Sequence, residues 1–215
     1  MTKNSMPFSR VNLISLSLAG TFLIATPAFA ADGSASLGAL AKQFTKTAAT
    51  PADPILASVG TDLTGKLKAL DQVLGASDAV KSQLTGTLQA LVGGKDADAL
   101  AKVFQIAQVA SLTPEQKGLA KEAGNLAAAF VVQRNFAALE GASGDVATVV
   151  SSLRKGEVAG AAPAIQRIAK NANLTAPQKQ LIGSVADQYA PGLRKAKDSL
   201  KKGLNGLQSL PGLGQ

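Results

Sequence analysis

The chain has 215 residues, is 46% apolar and 17% charged, and carries a formal charge of +8 at neutral pH with no cysteine, histidine or tryptophan. That length suffices for one domain with a real core, or for two small ones. The missing residue types exclude a disulfide framework and leave a transition metal only carboxylates, which suit it poorly.

The N-terminal stretch reads as a targeting segment. Lys3 and Arg10 form a positive region, Val11 to Ile24 an apolar run, and Ala28-Phe29-Ala30 a small-residue cleavage pattern. This is the plan of a secretory signal peptide, so residues 1–30 are expected to be removed and the chain exported, to the periplasm or outside the cell. No cysteine follows the run to take a lipid anchor, and no later stretch has 18 uncharged apolar residues, so no transmembrane span is expected in the mature chain. From Ala31 onward 20 basic residues face 14 acidic ones, and Phe44, Phe104, Phe130, Phe136 and Tyr189 are the aromatics. Alanine and leucine must therefore fill the core; small side chains let helices approach closely but bury little area each.

Residues 36–48 predict a short helix with Leu37, Leu40, Ala41 and Phe44 on one face. A longer helix is expected over about 52–74, with Leu56, Val59, Leu63, Leu67, Leu70 and Leu74 at helical spacing and Gly75 closing it. Ser77-Asp78 opens the next, about 78–92, and Gly93-Gly94 ends it. Asp96 is expected to cap a helix of about 97–110. Thr113 then reads as an N-cap, with Pro114 in the first helical position, Glu115 in the first turn and Gln116 where a capping box needs it. That helix should reach about Leu139, near Gly141, with Leu119, Ala123, Leu126, Phe130, Val131 and Phe136 inward. Helices of about 143–153 and 158–171 follow, and Thr175, with Gln178, caps the last. Pro191 should kink or break this last helix, residues 192–203 form a basic segment, and 204–215 read as a loose tail. No run alternates with the period of a strand.

The chain repeats itself. Residues 84–117 laid on 146–179 without a gap give 11 identities, ending in Leu112-Thr113-Pro114-Glu115-Gln116-Lys117 against Leu174-Thr175-Ala176-Pro177-Gln178-Lys179. Ala39 to Phe44 also resembles Ala99 to Phe104, with Thr50-Pro51 in the place of Thr113-Pro114 after a three-residue slip. The expected architecture is an all-α array of about seven to eight helices in a single domain over 31–203. It is built from a duplicated three-helix unit of about 62 residues, with a truncated third copy at the N-terminus.

Motifs that carry chemistry are weak. Gly60-Thr61-Asp62-Leu63-Thr64-Gly65-Lys66-Leu67 nearly spells a phosphate loop, but leucine stands in place of the hydroxyl residue and no strand precedes it. Ser152-Leu153-Arg154-Lys155 fits a serine-acylase tetrapeptide without its companion elements, and equally fits a helix end with basic residues. Asp96 and Asp98 lack a third partner for a Ca²⁺ loop and suit a helix N-terminus. The densest charge cluster is Arg194, Lys195, Lys197, Lys201 and Lys202, either a solvated helix face or a contact for an anionic partner. Nucleic acid is not expected as that partner, with so few aromatics to stack on bases.

Leu112, Thr113, Gln116 and Leu174, Thr175, Gln178 spell Leu-Thr-x-x-Gln twice. On an exported, basic, cysteine-free helical chain this resembles the Spy/CpxP family of periplasmic proteins. The resemblance implies an all-α fold and a cradle-shaped dimeric chaperone. A capping box with a preceding leucine as hydrophobic staple produces the same letters, so the pair has two readings. The sequence thus favours an exported, non-enzymatic binding or structural component of the cell envelope. It would need no cofactor and would meet an anionic envelope surface or protein clients; a holdase-type chaperone is the alternative and an enzyme the third reading.

Overall fold

Capped turns divide the chain into helices where the sequence predicts them. The computed structural model describes residues 36–48, 53–73 and 78–189, which hold eight helices and no strand. They are α1 Leu37–Ala48, α2 Pro54–Val73, α3 Asp78–Val92, α4 Asp96–Ala107, α5 Pro114–Phe136, α6 Ser143–Arg154, α7 Val158–Ala169 and α8 Ala176–Tyr189. Residues 1–35 and the segment after Tyr189 lie outside the described residues, as do Gly75, Pro191 and the basic cluster.

Helix α5 is the axis of the packing. Sequence periodicity gives it one inward stripe, but every residue from Ala123 to Gln133 is buried, so it is enclosed on all sides. Alanines at 127, 128 and 129 make this feasible, because their short side chains let α2, α4 and α6 all come close. Leu119, expected inside, is only partly buried. Phe44 of α1 reaches the axis from outside, its ring 4.9 Å from that of Phe130. Gly60 of α2 is required at that junction: a Cβ there would stand 2.8 Å from the Ala48 Cβ and 3.4 Å from the Phe130 ring.

Local geometry recurs at 62 residues. Helices α4 and α7 have the same length and their bounds are offset by 62, and α5 and α8 begin at the same offset. The turns before α4 and α7 share three backbone bonds, donated by Gly93 and Lys155, Gly94 and Gly156, and Lys95 and Glu157. Gly94 and Gly156 take φ of 70° and 75°, Lys95 N–H donates to the Ala90 carbonyl, and Glu157 N–H donates to that of Ser152, both at 2.8 Å. This is the left-handed helix ending that glycine alone adopts without strain. The surroundings do not recur. Helix α2 lies along α5 whereas α8 touches α5 little, and α6 packs on α5 whereas α3 barely meets α2.

Several expectations need correction. Helix α2 starts at Pro54, capped by Asp53, whose Oδ1 accepts from Ile55 and Leu56 N–H at 2.9 and 3.1 Å. Pro54 lies 60 residues before Pro114, the same offset as Ala39 to Ala99, so the N-terminal match needs no slip at Thr50-Pro51. Asp96 is not a cap: it is the first residue of α4, and its carboxylate turns to α5 instead. Helix α5 ends at Phe136 rather than near Leu139, α4 at Ala107 and α7 at Ala169. Leu112 and Leu174 are buried in the core, but lysines stand four residues into each following helix, so their partner is the core and not a staple. Pro163 sits inside α7, where it removes the bond to the Ala159 carbonyl without ending the helix.

Candidate functional site

Both capping boxes form. Thr113 Oγ1 accepts from Gln116 N–H at 3.3 Å while Thr113 N–H donates to Gln116 Oε1 at 2.9 Å. Thr175 and Gln178 make the same pair at 3.4 and 3.0 Å, with Thr175 Oγ1 also donating to Gln178 Oε1. Each glutamine then does something the sequence did not announce. Its Nε2 donates across the fold to a carbonyl 43 residues earlier, Gln116 to Val73 at 2.7 Å and Gln178 to Asn135 at 2.9 Å. One side chain thus satisfies an orphan donor at the start of one helix and a terminal carbonyl at the end of another.

The end of α5 is a polar hub. Gln133, Arg134 and Asn135 follow its apolar run and reach four other helices, α2 at its start, α3, α4 and α8. Gln133 Nε2 donates to Asp53 Oδ2 at 2.8 Å, at the start of α2. Arg134 pairs with both oxygens of Asp96, donates to the Leu91 carbonyl at 2.9 Å and lies 4.9 Å over the Phe130 ring. Asn135 Nδ2 donates to Asp96 Oδ2 at 2.6 Å, and its carbonyl holds Gln178. Burial pushes the Arg134 guanidinium down to about 10, still charged at neutral pH. Burial would raise the Asp53 carboxyl, but hydrogen bonds from Gln133, Leu56 and Ile55 together hold it below its ordinary value.

A cleft of about 450 Å³ opens beside this hub, lined by Lys95, Asp96, Asp98, Asn135, Pro177 and Gln178 among others. Its chemistry is already spent: the Asp96 carboxylate and the Gln178 amide face structural partners rather than the cleft. Asp98 is exposed, and no group of three metal-ligating side chains occurs among the described residues.

The other motifs resolve into helix. Gly60 to Leu67 lies within α2, its leucines buried, with no loop to cradle a phosphate. Ser152 is buried near the end of α6, and Arg154 leaves it to bond Asp62 at 2.6 Å and Ser58 at 3.0 Å. Remaining ion pairs also link helices: Lys66 with Glu122 at 2.5 Å and Arg167 with Asp145 at 2.7 Å. Of the residues singled out from sequence, Thr113, Gln116, Thr175 and Gln178 are placed as caps. Arg194, Lys195, Lys197, Lys201 and Lys202 lie outside the described residues. The hub went unpredicted, although three consecutive polar residues closing an apolar helix are a visible signal. Comparison with protein families, with curated proteins and with solved structures gave no match.

Proposed function

We propose that this chain is an exported, non-enzymatic helical component of the cell envelope, a scaffold of duplicated three-helix units that presents a basic segment to an anionic surface. The observation that carries this reading is the distribution of charge. Between Arg194 and Lys202 five residues of nine are basic and Asp198 is the only acid. In the described helices, by contrast, Asp62, Asp96, Glu122 and Asp145 are each tied to a basic partner on another helix. Arg194–Asp198 and Asp198–Lys202 are the available pairs in the cluster, so three lysines are left over. Surplus like charge is useful when something anionic is near, at roughly 1 kcal/mol per basic residue on an anionic surface.

The test is co-sedimentation with vesicles of anionic lipid at low and high salt, comparing wild type with a variant carrying Lys195, Lys197 and Lys201 changed to Gln. Binding at low salt that the variant and high salt both weaken is expected; equal sedimentation throughout overturns the reading. N-terminal sequencing of the exported form, expected to begin at Ala31, tests the export half separately. A holdase would need exposed apolar surface to hold clients. Among the described residues Ile55 and Val73 are the exposed large apolar side chains, a small offering.

A further inference from the structure

One side chain of α5 has no structural use. Asn125 lies in the enclosed stretch of the axis, 6% exposed, among buried alanine, leucine and glycine. No hydrogen bond to its amide occurs among the described residues, and its polar atoms are not sealed from solvent, so the amide can meet a ligand. The amide lines a pocket of about 250 Å³ between α4, α5 and α8, with Val158 at its edge. Phe104 and Tyr189 wall this pocket, their rings meeting edge to face with centroids 5.9 Å apart. Gly124 lets the Phe104 ring lie against the α5 backbone, since a Cβ there would stand 3.2 Å from it. Lys121, one turn before Asn125 on the same face of α5, is exposed and lines the same space.

The pocket offers the Asn125 and Gln188 amides, a lysine ammonium and the Tyr189 phenol, which burial keeps protonated, and no acidic side chain lines it. Apolar walls with a few converging polar groups are the usual form of a small-ligand site. We infer that this pocket binds a small monocarboxylate with a single ring or short acyl body. The body lies against Phe104, Val158 and Tyr189, and the carboxylate takes the Asn125 N–H and the Lys121 charge. None of these residues belongs to the basic segment, so the vesicle result does not bear on the proposal.

Phenylacetate is a suitable probe, followed by ¹⁵N NMR titration and calorimetry of the purified protein, with neutral phenylacetamide as the comparison. Saturable shifts of the Gly124, Asn125 and Tyr189 amides are expected, with phenylacetamide weaker. Asn125→Leu and Lys121→Gln should each lower phenylacetate affinity about tenfold, the usual worth of a hydrogen bond or charge on a carboxylate. Asn125→Leu should melt no lower than wild type, since it removes an unpartnered amide. A merely structural asparagine would instead show a lower melting temperature and unchanged affinity. Absence of saturable shifts at millimolar probe, equal affinity in both variants, or equal binding of the neutral amide overturns the proposal. Should Asn125→Leu fail to fold, Lys121→Gln, at an exposed position, decides alone.

Discussion

The corner that starts α5 and the corner that starts α8 are written in nearly the same letters and make the same bonds, yet they stand in different company. The Gln116 clamp lands on Val73, at the end of α2, whose side chain is 42% exposed. The Gln178 clamp lands on Asn135, whose side chain grips the buried Asp96 and through it Arg134. Sixty-two residues beyond Asp96 stands Val158, so the ion pair was not copied forward with the hexamer. A short repeat fixes backbone geometry, because capping and glycine φ are local. The weight a corner carries is set by residues far away in sequence, which the repeat does not contain.

The largest effect should come from breaking the element peculiar to the second corner. Arg134→Ala leaves the Asp96 carboxylate buried with only Asn135 to compensate it, and removing one partner of a buried pair costs about 3–5 kcal/mol. Urea unfolding measures this. Arg134→Met combined with Asp96→Ala should cost less than Arg134→Ala, because no charge is then stranded. An equal or greater loss in the double variant would show that the guanidinium works through the Leu91 carbonyl and Phe130 more than through Asp96.

The corners themselves can be compared directly. Thr113→Ala and Thr175→Ala should each lower stability by about 1 kcal/mol, since each removes the same cap. Gln116→Ala and Gln178→Ala should differ. Gln178 leaves a part-buried carbonyl unpaired, at about 1–2 kcal/mol, whereas water can replace Gln116 at the exposed Val73 carbonyl for about 0.5 kcal/mol. Thermal melts of the four variants decide it, and equal losses at both glutamines would mean the corners weigh the same.

How much of this was legible follows the same division. Thr113, Gln116, Thr175 and Gln178 were readable as caps, because a capping box is a relation between residues three apart. Gly93-Gly94 was readable as a helix end for the same reason, while the left-handed φ at Gly94 and Gly156 shows only in the backbone. Asp96 misled: an acid before a helical pattern suits a cap, and nothing nearby announces Arg134, 38 residues on. The enclosure of α5 was hidden because alanine scores alike on a buried and an exposed face; only the arrival of α2, α4 and α6 distinguishes them. Nothing in the sequence marks Asn125, a single polar residue in an alanine-rich run; its place beside the pocket shows only in the fold. The Arg194 to Lys202 segment remains a statement about charge.

The smallest expected effect concerns Asp53, which ties the start of α2 to the end of α5 much as Gln178 ties the start of α8 there. Its carboxyl is held below the ordinary value of 3.8, as hydrogen bonds from Gln133, Leu56 and Ile55 together outweigh burial. A carboxylate with a lowered folded pKa stabilises the fold above its unfolded pKa, and that contribution disappears as pH falls through the folded value. The whole effect therefore lies below about pH 4. Asp53 is partly exposed, so screening keeps its worth well under about 1 kcal/mol. Asp53→Asn keeps an acceptable cap but cannot titrate. Its melting temperature should fall below wild type at neutral pH by a degree or two and converge with it toward pH 2, since about 1 kcal/mol moves a domain of this size only a few degrees. A gap that persists unchanged to pH 2 would place the difference in the shape of the cap and not in the charge of Asp53.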